Sequence, residues 1–255
     1  MIAEPASNLL APSEPPPVDC VTFDNPGPVL LLCEHAGRRV PAALNNLGLS
    51  DEVLVSHRAW DIGAEDVARG LSAKLRAPLI LQRYSRLVID ANRPPGGTGS
   101  IPEISDRVEI PGNIGLFASE RDARIAQIFA PMEAAIDAAF TPATRACFSI
   151  HSFTPRMDGT DRPWHAGFLT RASTATGEFL MDALLRRRPD LLLALNQPYQ
   201  IEDDTDWFIP RHAEARGLPH CLIEIRNDLI DNPNGAAQWA ELLASAIGDF
   251  MESLS

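Results

Sequence analysis

Apolar and polar positions alternate between two periods along this chain, and each predicts an element. Val29-Leu30-Leu31-Leu32-Cys33 is a continuous apolar run, as expected of a strand buried on both faces, and it halts abruptly at Glu34-His35-Ala36-Gly37. Over residues 62–76, Ile62, Val67, Leu71 and Leu75 recur at helical spacing until Ala77-Pro78 ends the pattern. Residues 78–81 and 87–90 read as strands, whereas 94–115 are rich in Pro and Gly and predict a long loop, functional or mobile. Residues 119–140 are helical by pattern, with Pro131 kinking or dividing them. A strand follows over 146–150, ending at His151-Ser152, and then a helix over 174–188 closed by three arginines that suit its C-terminus. A further strand over 221–225 and an amphipathic helix over 235–254 complete the pattern.

Short apolar strands alternating with helices predict an α/β fold: a mainly parallel or mixed central sheet with helices on both faces. The prolines before residue 28 deny that stretch a helix or a central strand, so residues 1–28 read as a Pro-rich tail and 29–255 as a single domain. At 255 residues and 45% hydrophobic, the chain buries a large core without needing disulfides or a structural metal. Its charge, 22 − 34 = −12, disfavours nucleic-acid and anionic-membrane partners. No stretch approaches a transmembrane length and the first residues lack a signal-peptide pattern. Three of the four cysteines (Cys33, Cys147, Cys221; the fourth is Cys20) sit in apolar runs without a CxxC pair. The expectation is a reduced, soluble, cytoplasmic protein.

Ligands of open α/β sheets bind outside the carboxyl ends of the strands. Polar residues collect at those ends here: Glu34 and His35, then Asp90, Asn92 and Arg93, then His151 and Ser152, then Glu224 and Arg226. Two histidines with spare carboxylates match the ligand set of a catalytic divalent metal, zinc above all, with an open position for water. His35 and His151 are the first two candidates. The third is Asp61, which precedes a helix and is equally suited to cap it, or Glu34, whose side chain alternation turns away from that of His35. Asp61 is the preferred choice. Glu224 interrupts an apolar strand, either as the ion-pair partner of Arg226 on the same face or as a general base. Arg93, with Asn92 beside it and Arg86 upstream, offers a forked grip for a carboxylate, while Arg83 reads more simply as a surface ion pair. Arg226 is counted among the substrate-binding groups. The arginines point to a small anionic substrate.

Five blocks together resemble the N-formylglutamate amidohydrolase family: residues 34–37, 60–64, 85–93, 149–153 and 224–227, in family order, covering about residues 29–250. The family is similar to the zinc-dependent exopeptidases, which implies a phosphorylase/hydrolase-like fold. The resemblance implies a zinc ligand at His151, a catalytic base at Glu224 and a carboxylate clamp at Asn92 and Arg93. One departure stands out. In the zinc carboxypeptidases a ligand Glu follows the first His by three residues, and here that position is Arg38. The neighbourhood 196–212 adds Asp203, Asp204, Asp206 and His212, the last a further candidate for the site or a lid.

The expectation is therefore a hydrolase of a small N-acyl amino acid such as N-formyl-L-glutamate. One divalent ion would sit on His35, Asp61 and His151, Glu224 would act as base, and Arg86, Asn92, Arg93 and Arg226 would hold substrate. Two rivals are a carboxylate-binding protein on the same fold and a cysteine nucleophile at Cys33 or Cys147, the latter disfavoured by burial.

Overall fold

The computed structural model describes residues 8–254. Seven strands form one sheet: β1 (Val18–Val21), β2 (Val29–Cys33), β3 (Leu79–Gln82), β4 (Ala146–Phe153), β5 (Ala166–Leu169), β6 (Leu193–Leu195) and β7 (His220–Arg226). Their spatial order is β1-β3-β2-β4-β7-β5-β6. The central four, β3-β2-β4-β7, are parallel, β1 and β5 run antiparallel to their inner neighbours, and β6 is parallel to β5. The sheet is thus mixed.

Alternation along each strand divides two cores. Leu31, Phe148, Ile150 and Ile223 face helices α1 (Ala64–Leu75), α4 (Thr174–Arg187) and α5 (Pro233–Ser253). Leu30, Leu32, Cys147 and Leu222 face the opposite way, onto α3 (Ala130–Ala139) and the π-helical turn over Ile209–Ala213 with Phe208 before it. Pro131 lies in the first turn of α3, where its missing N–H costs little, and a π turn over Ile125–Phe129 joins it to α2 (Ala118–Arg124). A third cluster, including Leu47, Tyr84, Leu87, Val88 and Ile110, lies beneath the long connections at the strand ends.

Three elements depart from the sequence pattern. The N-terminal stretch contributes β1 at the sheet edge, consistent with its prolines, and Leu9 is buried in the third cluster. Residues 87–90 form a buried turn instead of a strand. Its carbonyls are satisfied by side chains, Leu87 O by Asn113 and Val88 O by Arg124, so no neighbouring strand is needed. β5 and β6, short and flanked by Gly and Pro, left no legible period. No helix among the described residues is long and apolar enough to cross a membrane.

Candidate active site

The parallel strands β2 and β4 deliver their C-terminal residues to one rim, and β7 adds Glu224 beside His151 in register. His35 lies in the turn after β2 and is pinned from both sides. The Asp61 backbone N–H donates to the His35 carbonyl (3.0 Å), and His35 Nε2–H donates to Asp90 Oδ1 (2.6 Å). A neutral imidazole that donates from Nε2 carries its lone pair on Nδ1, which faces Asp61 Oδ2 at 3.4 Å and His151 Nδ1 at 3.1 Å. His151 repeats the arrangement. Its Nδ1 meets Asp61 Oδ2 at 2.9 Å, and its Nε2 lies 3.1 Å from Glu34 Oε2, close but off the hydrogen-bond line.

His35, Asp61 and His151 therefore converge, each with one ligand atom within 4.8 Å of the others, and all three are buried. Asp61 is not the helix cap: α1 is capped by Gly63 in the left-handed conformation (φ 80°), where a Cβ would strike the Ile230 carbonyl. That frees the Asp61 carboxylate, which accepts from the Ser152 N–H (3.1 Å) and turns to the histidines. Glu34 is placed behind His151, on its outward nitrogen, and Ser149 Oγ donates to it. Carboxylates behind ligand imidazoles orient the rings and raise their basicity.

Glu34, Asp61, Asp90 and Glu224 are all buried, and Arg86 is the cation nearest them, donating from Nη2 to Asp90 (2.7 Å) and from Nη1 to His35 Nδ1 (3.1 Å). Burial and Arg86 press the His35 imidazolium toward deprotonation, but Asp90 and Asp61 outweigh them and its pKa is raised. Burial likewise opposes the His151 charge, and Glu34 with Asp61 reverse it, raising its pKa well above the ordinary value. A buried pair of imidazoles facing one carboxylate, with surplus negative charge around them and Glu34 Oε1 lacking a hydrogen-bond partner, fits a divalent cation.

Glu224 faces this cluster with Oε2 unpartnered, and burial pushes its carboxyl up to about 7 against the influence of His151. It does not pair with Arg226. β7 ends there, and the following turn brings Asp228 to 2.8 Å from Arg226 Nε while Nη1 reaches the Pro163 carbonyl, outside the cleft. The cleft, about 1220 Å³, is lined by His35, Asp61, Arg86, Asn92, Arg93, His151 and Glu224, together with the long loop over 94–106. Arg93 approaches Asp90 only at 3.8 Å, which leaves its guanidinium for a ligand. Asn92 is committed elsewhere: its Oδ1 accepts from the Trp207 and Phe208 N–H groups and its Nδ2 donates to Asp206.

Other sequence candidates are resolved by their neighbours. Arg38 stacks on Trp60 (5.3 Å) and stays out of the ligand set. Arg83 pairs with Glu65 at 2.6 Å. His212 is buried between Phe140 and Phe208 and bonds Glu133, away from the cleft, and Asp203 pairs with Arg171. Asp204 and Asp206 line the cleft. Cys33 is buried with its thiol pushed up by burial and by Asp61, and burial takes Cys147 to about 12, so neither is a nucleophile. Tyr199 carries no distinguishing sequence signal as a site residue; only the fold brings it to the cleft.

Residues 27–231 match the model of the N-formylglutamate amidohydrolase family. A gene product of Agrobacterium tumefaciens of known structure is 37% identical, with a TM-score of 0.89 over 96% of this chain and 99% of that one. The N-formylglutamate amidohydrolase of Ralstonia eutropha is 19% identical, with a TM-score of 0.72 over 94% of this chain and 99% of that one, and shares the fold. No curated protein matches the chain.

Proposed function

The chain belongs to the N-formylglutamate amidohydrolase family, and on that footing we propose a metal-dependent amidohydrolase that cleaves the amide of a small N-acyl amino acid, with N-formyl-L-glutamate as the family's namesake substrate. The observation that carries this reading is the joint placement, in one cleft, of the His35–Asp61–His151 cluster, the unpartnered Glu224 carboxyl and the free Arg93 guanidinium.

Zinc suits two imidazole nitrogens and a carboxylate oxygen; bound there, it would polarise the scissile carbonyl and bring a water's pKa near neutrality. Arg93 grips the substrate carboxylate, with Arg86 beside it anchored on Asp90, and this fixes the amide over the rim. Glu224 takes a proton from the attacking water and returns it to the leaving nitrogen. A carboxyl held at about 7 by burial is suited to both transfers near neutral pH. Water adds at the carbonyl carbon, the C–N bond breaks, and the products are formate and the free amino acid. Asn92 lines the cleft and positions the 206–208 segment.

Glu224→Gln tests the assignment. Turnover of N-formyl-L-glutamate is expected to fall by about 10²–10⁴-fold while zinc content is retained. A Glu224→Gln protein as active as the wild type would remove the base from this account.

A further inference from the structure

Two small hairpins stand outside the seven-stranded sheet, and both wall the cleft. Ile104–Ser105 pairs with Val108–Glu109, and Arg156–Met157 pairs with Thr160–Asp161, each through a two-residue turn. Ser105 and Asp106 of the first hairpin and Met157 of the second line the cleft. The tips meet beyond that lining: Arg107 Nη2 lies 2.7 Å from Asp158 Oδ1, with both side chains exposed.

Both turns hold two consecutive residues at positive φ, Asp106 (39°) with Arg107 (64°) and Asp158 (51°) with Gly159 (81°). Hairpin turns of this kind favour Asn or Asp followed by Gly, because glycine enters the left-handed region without strain. The second hairpin obeys that rule with Asp158-Gly159, and the first breaks it with Asp106-Arg107. The strained arginine is the residue whose guanidinium reaches the opposite hairpin.

The two legs of this bridge differ in how firmly they stand. Asp106 is rooted: its carboxylate meets His57 Nε2 at 3.0 Å and Arg58 Nη2 at 2.9 Å, and its carbonyl accepts from Arg58. Asp158 is exposed, and its hairpin has two residues on each side, with Thr160 and Asp161 in solvent. The second hairpin is therefore the leg with freedom to move. An exposed ion pair in water is weak, so the bridge opens and closes and does not seal the cleft.

At about 1220 Å³ the cleft exceeds the roughly 300–1,000 Å³ of ordinary small-ligand sites. Its interior does not limit ligand size, whereas a bridge between its walls does. We propose that Arg107–Asp158 is a strap that closes over a compact N-acyl amino acid and is held open by a bulky acyl group, so that it sets the acyl size this site prefers. The proposal rests on the amidohydrolase reading for its reaction but not for its ligand binding.

The test compares N-formyl-L-glutamate with N-benzoyl-L-glutamate on the zinc-loaded full-length protein, as wild type, Arg107→Gly, Arg107→Lys and Asp158→Asn. Glycine suits the turn, so Arg107→Gly removes the strap and leaves the hairpin formed. In Arg107→Gly and Asp158→Asn, kcat/KM for the benzoyl compound relative to the formyl compound is expected to rise about 2–5-fold over wild type, mainly through KM. Arg107→Lys stays near the wild type. High salt screens the pair, so it brings the wild-type ratio up to that of Arg107→Gly and leaves the variant's ratio unchanged. Arg107→Gly with the wild-type ratio overturns the proposal, as does a wild-type ratio indifferent to salt. Both ligands are also titrated calorimetrically against each protein with Glu224→Gln added, where turnover is slow. If no protein hydrolyses either compound, yet the calorimetric affinity ratio shifts in Arg107→Gly, the hydrolytic reading fails and the strap stands.

Discussion

His35 and Asp90 are joined at 2.6 Å through the ring nitrogen that points away from Asp61. The bond fixes which tautomer His35 adopts and turns its other nitrogen into the cluster. The same carboxylate holds Arg86 at 2.7 Å, so one side chain orients both a candidate ligand and a candidate substrate cation. Asp90→Asn keeps the shape but loses the charge. Zinc affinity, titrated against a competing chelator, is expected to fall about 10–100-fold. An unchanged affinity would separate Asp90 from the metal.

Protons and metal compete for the cluster. The His151 pKa is raised well above its ordinary value by Glu34 and Asp61, against burial, so the carboxylates that would favour an ion also favour a proton on that ring. Zinc binding is therefore expected to release protons, and apparent affinity to rise by about tenfold per pH unit until the ring deprotonates. Calorimetry in buffers of different ionisation enthalpy counts the protons. Binding with no proton release would contradict the charge arrangement described.

Glu224 carries a stability cost with a definite sign. Its folded pKa is about 7 and its unfolded value is about 4.3, so the native state holds the proton more tightly between them. Across that window the metal-free protein loses stability as pH rises. Glu224→Gln cannot ionise and escapes the loss. It is expected to exceed the wild type by about 1–3 kcal/mol at pH 8 and to match it near pH 4. Denaturant melts of the metal-free proteins at the two pH values measure this, and coincident curves at pH 8 would show that Glu224 ionises freely.

Much of this arrangement was legible in the sequence, for physical reasons. Continuous apolar runs gave β2, β4 and β7, and the abrupt polarity at their ends marked His35, His151 and Glu224. What could not be read were relations set by turns. Asp61 was already the preferred third ligand but suited a helix cap equally, and it is Gly63 at the capping position that leaves its carboxylate for the histidines, while Arg226 leaves because its strand ends. Residues 87–90 look like a strand because they are apolar, yet their hydrogen bonds go to Asn113 and Arg124, residues that local periodicity cannot connect to them. Asn92 reads as a substrate group from its neighbour Arg93; it lines the cleft, and what the sequence could not show is that its side chain also bonds backbone amides more than a hundred residues away.

Arg124 deserves a direct test as the support of that turn. It is buried, its pKa is lowered by burial to about 10, and it donates to Val88 O (2.9 Å), Gly112 O (3.0 Å) and Asn113 Oδ1 (2.7 Å). Arg124→Met orphans these acceptors, and a loss of about 2–5 kcal/mol of stability is expected. The turn carries Arg86 and Arg93, so KM for an anionic substrate should rise more than kcat falls. A variant with reduced stability but wild-type KM would show that Arg124 supports the fold alone.

The central claim is that the His35–Asp61–His151 cluster holds a divalent ion on which amide hydrolysis depends. Elemental analysis of the purified protein, joined to a formate-release assay on N-formyl-L-glutamate before chelation, after it, and after zinc is restored, tests it most directly. The account predicts about one zinc per chain, activity lost with the metal and regained with it, and neither metal nor activity in His151→Ala. Formate release that persists in metal-free protein, or a His151→Ala variant that retains both metal and turnover, would contradict it.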